Sequence, residues 1–117
     1  MPDQRDERFP PKYRLNRATD FRRVFSRGKR TATRLFVIYI LPNHLSYSRL
    51  GIQVQSKIGS AVQRNYIKRI VREVFRKLKE DFREHVDIVF IAGKQMVKTG
   101  YTELNEEFHK SLQRYLG

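Results

Sequence analysis

The chain has 117 residues, 39% of them hydrophobic, with 8 Phe, 6 Tyr and no Cys; this is enough for one folded domain and too few for two. A total of 25 Lys and Arg against 12 Asp and Glu leaves a net charge of +13, which points to a polyanion, nucleic acid first and an anionic membrane surface second. The missing cysteines exclude disulfides and thiolate metal sites, no apolar run approaches the roughly 20 residues that span a bilayer, and no apolar secretory segment opens the sequence, so a cytoplasmic protein is expected.

Residues 1–13 carry both signs of charge around a Pro10-Pro11 pair and read as a flexible arm, leaving 14–117 as a single domain. Residues 15–28 read as a short helix, with Thr19 as its N-cap, Asp20 in the first turn and Gly28 as the stop. Phe21, Val24 and Phe25 share one face of it, and spacing alone favours packing roles for both phenylalanines. Residues 29–34 form a basic connector. Leu35-Phe-Val-Ile-Tyr-Ile-Leu41 is apolar throughout, the composition of a strand covered on both faces or nearly so. Residues 42–48 are a turn region, and 49–55 alternate, with Leu50, Ile52 and Val54 on one side. A hairpin is the natural link between these two strands.

Residues 60–79 then read as one long helix that continues to about Phe82. At about 100° per residue, Arg64, Asn65, Lys68, Arg69, Arg72, Arg76 and Lys79 fill an arc of about 140°. Ile67, Ile70, Val71, Val74, Phe75 and Leu78 fill the other side. Ser60 and Gln63 fit a capping box. A helix N-terminus favours acidic side chains, yet no acid occurs between Ser60 and Arg72. Arg64, Lys68 and Arg69 are therefore set against the dipole and against one another, and phosphates on that face would relieve the crowding. Residues 87–92 are a further apolar strand ended by Gly93, and 94–101 are a polar link. Thr102 caps a last helix with Leu104, Phe108, Leu112 and Tyr115 or Leu116 at helical spacing. The order α-β-β-α-β-α gives an α+β fold: a compact two-layer α/β sandwich of three helices on a small, mostly antiparallel sheet, with room for a further short strand.

The charge is concentrated in two places. Residues 1–34 hold 11 basic and 4 acidic side chains and 55–80 hold 8 and 2, whereas 81–117 hold 5 and 6. A coat of charge for solubility would be even. No catalytic residue is assigned. The three histidines, His44, His85 and His109, lie in separate elements, and the carboxylates form no cluster of the kind that holds the metal ions of a protein nuclease. No DNA-reading module is recognisable, and aromatics lie near basic residues (Phe21, Phe25, Tyr39, Tyr66), as single-strand binding needs. These residues describe an RNA-phosphate binder rather than a catalyst.

The run Lys57-Ile-Gly-Ser-Ala-Val-Gln-Arg-Asn-Tyr-Ile-Lys-Arg-Ile-Val-Arg-Glu73 resembles the RNR motif of the bacterial ribonuclease P protein family, a K-x-G-x-A-V-x-R-N-x-x-K-R-x-x-R-E-like signature. Asp20-Phe21, Val24-Phe25 and Gly28 are similar to the family's first helix, and Arg34-Leu-Phe-Val-Ile-Tyr39 with Arg49-Leu-Gly-Ile-Gln-Val54 to its strand pair. The resemblance covers residues 14–117. It implies the small subunit of a ribonucleoprotein endoribonuclease that removes the 5′ leader from precursor tRNA. The RNA subunit would carry the chemistry and chiefly bind the Mg²⁺ ions, while the protein aids substrate and metal binding.

By the same resemblance, Arg64, Asn65, Lys68, Arg69 and Arg72 would contact the RNA subunit. Phe21, Phe25, Val37 and Tyr39 would line a cleft for the single-stranded 5′ leader, with Lys57 at its edge. The implied partners are the RNA subunit and precursor tRNA, with no membrane and no small-molecule substrate. A left-handed crossover between the parallel strands flanking the long helix is also implied, against the right-handed rule that about 98% of such units follow. Two positions depart from the pattern. Tyr66 stands where the motif often has its second arginine, and Lys57 alone remains of two lysines often adjacent there. The alternative reading is a ribosomal or RNA-chaperone protein that binds structured RNA without a role in cleavage.

Overall fold

The structure, a computed structural model, describes residues 9–117. In chain order it comprises α1 (Ala18–Arg27), β1 (Lys29–Ala32), β2 (Phe36–Pro42), β3 (Arg49–Gln53), α2 (Ala61–Leu78), β4 (Val86–Ala92) and α3 (Tyr101–Leu112), joined by short 3-10 turns. The strands form one sheet in the order β1-β2-β4-β3. β1 and β4 both run antiparallel to β2, and β3 runs parallel to β4. The helix α2 is thus the crossover between two parallel neighbours.

The expected hairpin between β2 and β3 does not form, because β4 inserts between them. Six of the seven residues of β4 are buried. An element this apolar gains most at the centre of a sheet, where both edges are hydrogen-bonded and both faces covered. The alternating β3 tolerates an edge. A hairpin is instead made by β1 and β2, so the segment read as a connector holds a strand. Thr33 tightens its turn, the hydroxyl accepting from the Leu35 and Phe36 N–H groups at 3.1 and 3.2 Å.

Both α2 and α3 cover one face of the sheet. Ile67, Val71, Val74 and Leu78 of α2 meet Phe36, Ile38 and Ile40 of β2 and Ile88 and Phe90 of β4 in the main core. Phe108 of α3 closes it, its ring 5.9 Å from both Phe36 and Phe90. The helix α1 lies on the other face over a smaller cluster of Leu15, Val24 and Val89. Because α1 is short, β2 is covered unevenly: Phe36, Ile38 and Ile40 are buried, and Val37, Tyr39 and Leu41 only partly so.

Several ends differ in detail from expectation. The capping box of α2 forms as expected, with Ser60 Oγ accepting from Gln63 N at 3.1 Å and Gln63 Oε1 from Ser60 N at 2.8 Å. Thr19 and Thr102 are not caps: α1 follows Arg17 and α3 follows Gly100, neither making a side-chain cap hydrogen bond. The end of α2 tightens into a 3-10 turn, Lys79–Asp81, before the buried Phe82. Residues 1–8 of the expected arm lie outside the described residues. Residues 9–13 are packed onto the domain, with Phe9 buried edge-on against Phe75 at 5.6 Å.

Candidate nucleic-acid interface

The register of the sheet lays out its second face in rows. Gly51, Val89, Tyr39 and Arg30 are successive cross-strand partners, and α1 lies along this row. A Cβ on Gly51 would come within 2.6 Å of the Phe21 ring, and Phe25 meets Tyr39 edge-on at 4.9 Å. On one side of α1 is the row Arg49, Asp87 and Leu41; on the other is the row Gln53, Ile91, Val37 and Ala32. Helical spacing turns Phe21 and Phe25 to the second side and Asp20, Arg23 and Arg27 to the first.

The first side is bridged by ion pairs at the foot of a cavity of about 630 Å³ lined by Asp20, Arg23, Arg27, Leu41, Asn43 and Tyr47. Asp87 is a buried acid whose side chain is 1% exposed. Arg49 meets it with two prongs, Nε to Oδ1 at 2.8 Å and Nη2 to Oδ2 at 2.7 Å. Arg23 of α1 adds 2.8 Å to Oδ2, and Asn43 adds 2.9 Å to Oδ1. Burial, the largest single influence, pushes the Asp87 carboxyl up; the hydrogen bonds from Arg49, Asn43 and Arg23, with the charge of Arg49, outweigh it and hold the group below its usual range. Arg23 and Arg49 are therefore engaged within the fold.

The second side is open. Val37 and Ile91 are half-buried, and Ala32 and Gln53 are exposed. Val37 and Ile91 form an apolar trough floor beside Phe21, Phe25 and Tyr39, whose rings meet at 6.4 and 4.9 Å, and aromatic faces accept any base. Four of the five residues expected there, Phe21, Phe25, Val37 and Tyr39, share this face. Lys57 is exposed in the 3-10 turn Ser56–Ile58, beyond the Gln53 end of the trough. Sequence reading missed Arg30, which is exposed and stands opposite Tyr39 on the same face. Only the strand character of residues 29–32 reveals it, and four mostly polar residues carry little strand signal.

Of the five cationic or polar residues expected on α2, Asn65 and Arg69 are exposed, and Arg64, Lys68 and Arg72 are partly so. Arg64 turns back to donate to the carbonyl oxygens of Gly59 at 2.6 Å and Ser56 at 3.3 Å, bracing the turn that carries Lys57. Arg76 pairs with Glu73 at 2.6 Å. Arg69 lies 5.7 Å from the Tyr66 ring centroid. The first turn of α2 has no acid, so its free N–H groups, the dipole and the side chains present positive charge together. Among the described residues no group of three or more His, Cys, Asp or Glu lies where it could hold a metal ion. The donor set of the described residues does not fit a metal. Nor is any helix among them long and apolar enough to cross a membrane.

Comparison with known proteins places the chain in a family and supports the fold. The family model described as Ribonuclease P matches residues 9–116. A ribonuclease P protein component from Caldanaerobacter subterraneus subsp. tengcongensis is 38% identical over 101 residues, 86% of this chain and 87% of that one. One from Geobacillus thermodenitrificans is 40% identical over 104 residues, 88% and 86% of the two chains. The solved structure of the ribonuclease P protein from Thermotoga maritima superposes with a TM-score of 0.78 at 36% identity, covering 89% of this chain and 98% of that one.

Proposed function

The chain belongs to the ribonuclease P protein family, a subunit of the enzyme that processes tRNA 5′ ends, and from that premise we propose that α2 holds the RNA subunit while the trough beside α1 takes the 5′ leader of precursor tRNA. The family implies an RNA partner; the assignment of the RNA subunit and the leader to two surfaces follows the resemblance, and the aromatic cluster at Phe25 and Tyr39, separate from the cations of α2, supports it. One observation carries it: the open row Ala32–Val37–Ile91–Gln53 runs out toward Lys57 and the start of α2, so a strand in the trough passes directly to the basic helix.

The chemistry then follows from what this chain supplies. Phe21, Phe25 and Tyr39 stack bases, Val37 floors the trough, and Lys57 neutralises a phosphate at its edge. Arg64, Asn65, Lys68, Arg69 and Arg72 face the RNA subunit, with Arg64 also fixing the Lys57 turn. Residues 14–117 work as one RNA-binding domain in the cytoplasm, and Mg²⁺ is bound by the RNA subunit. The protein positions substrate; the RNA cleaves it.

The test is reconstitution. Purified protein added to the ribonuclease P RNA at low Mg²⁺ should raise 5′ cleavage of precursor tRNA, and Phe21→Ala should weaken binding of precursor tRNA more than of leaderless tRNA. Equal loss for both substrates would return Phe21 to a packing role and remove the leader from the trough. A ribosomal or chaperone-like role is favoured only if the protein binds RNA with no preference for a leader.

A further inference from the structure

Large apolar side chains exposed among the described residues are few: Leu45, Val62 at 79% and Tyr66 at 36%. Two of these three stand one turn apart at the start of α2. They share a concavity of about 440 Å³ with Gln63, Asn65, Arg69 and Val97. Val97 comes from the 3-10 turn Lys94–Lys98 that follows β4, and both terminal lysines of that turn are exposed. An apolar floor and a phenol ring are thus lined by Arg69 as well, with the exposed Lys94 and Lys98 on the same short turn as Val97. No acid lies among the lining residues.

An exposed valine and tyrosine that share one concavity offer apolar surface for a ligand to cover. A protein partner with an apolar face would leave the surrounding cations unmatched, whereas an unstacked nucleotide matches both parts. Its base has a π-face for Tyr66 and an apolar edge for Val62 and Val97, and its phosphates are the complement of Arg69 and the two lysines. The Asn65 amide, donor and acceptor at once, stands at the rim to meet a base edge.

We propose that Tyr66, Val62 and Val97 form a base-stacking subsite for an unpaired nucleotide of the RNA subunit, and that the RNA-contacting surface extends from α2 onto the turn at Lys94–Lys98. This rests on the reading that α2 faces the RNA subunit. It goes beyond that reading by adding a non-electrostatic contact and a second segment of chain.

Affinity of the full-length protein for the ribonuclease P RNA should be measured across a salt series. Tyr66→Ala should weaken binding by roughly five- to 150-fold, with the slope of log K against log salt unchanged, because no phosphate contact is lost. Tyr66→Phe should bind like the parent. Lys94→Ala combined with Lys98→Ala should lower the slope. Tyr66 is on the surface, so thermal unfolding of the variants should match the parent. If Tyr66→Ala binds within twofold of the parent, or Tyr66→Phe is as weak as Tyr66→Ala, the stacking subsite is wrong. If the double lysine variant keeps the parental slope, the extension onto the turn is wrong. Lys68→Ala separates the two levels: loss there with none at Tyr66 leaves the basic helix standing and removes only the subsite, and loss at neither removes both.

Discussion

Arg49 and Asp87 are cross-strand partners at the start of β3 and β4, joined through both carboxylate oxygens at 2.8 and 2.7 Å. Arg23 reaches the same carboxylate from α1. One buried acid thereby ties the helix that walls the trough to the two strands beneath it. Asp87→Asn leaves Arg49 without its counter-charge and Arg23 with Asp20 alone at 3.0 Å; both arginines are partly exposed, so the loss should fall below the about 3–5 kcal/mol that breaking a fully buried pair costs. Urea denaturation at neutral pH should show that loss. Arg23→Gln should cost less, because Arg49 still compensates the carboxylate.

The same acid sets a pH dependence. The folded state holds the Asp87 carboxyl below its ordinary value, so the unfolded chain binds the proton first. The stabilisation is therefore complete above an ordinary Asp pKa of about 3.9 and is lost as pH falls through the lower folded value. Denaturation midpoints measured between pH 7 and pH 2 should fall in the acid limb, and Asp87→Asn should flatten that limb.

Gly51 makes room for Phe21. A Cβ there would lie 2.6 Å from Phe21 Cζ and 3.1 Å from Leu15 Cβ, so Gly51→Ala must push the ring off the sheet or shift α1. Overpacking of this kind costs about 1–3 kcal/mol. The displaced ring should also reduce the preference for precursor over leaderless tRNA, with affinity for the RNA subunit preserved. Competition binding with the two tRNAs reads the first effect and direct titration of the RNA the second.

The entry to α2 depends on side chains of no charge. Ser60→Ala removes the hydroxyl that caps the Gln63 N–H and should cost about 0.5–2 kcal/mol. Gly59→Ala should act on the same box from the other side, because a Cβ there collides with the Gln63 amide. Ser60→Ala removes the acceptor of the Gln63 N–H, and Gly59→Ala drives the Gln63 amide off the Ser60 N–H; the two bonds form one reciprocal box, so the double variant should depart from the simple sum. Thermal unfolding of the three variants checks this.

Lys68 offers the plainest test of the basic face, being partly exposed on α2 between Arg64 and Arg72. Lys68→Ala should lower the salt slope of RNA-subunit binding by about 1 and weaken binding uniformly across RNA sequences. Affinities at several salt concentrations decide it. An unchanged slope would place Lys68 outside the phosphate contacts.

Much of this was legible in the chain itself. The two-faced helix at 61–78, its Ser60–Gln63 cap, the strands around residues 36–42 and 86–92 and the final helix through Phe108 all follow from local periodicity and capping chemistry. These are short-range signals that a sequence carries whole. The concentration of charge and the absence of clustered carboxylates were equally plain, and with the run from Lys57 to Glu73 they led to the family.

What tertiary structure alone decided is who stands beside whom. Strand pairing is a long-range choice made by burial, so β4 displaced β3 from β2 and a hairpin appeared among residues that look like a connector. That choice opened the row Gln53, Ile91, Val37 and Ala32, put Arg30 opposite Tyr39, and set the mid-chain Asp87 against Arg23 and Arg49. It also brought Val97 to Tyr66 across thirty residues of chain. Periodicity shows which face of an element is apolar; only packing shows which neighbour covers it and which part of a sheet is left open.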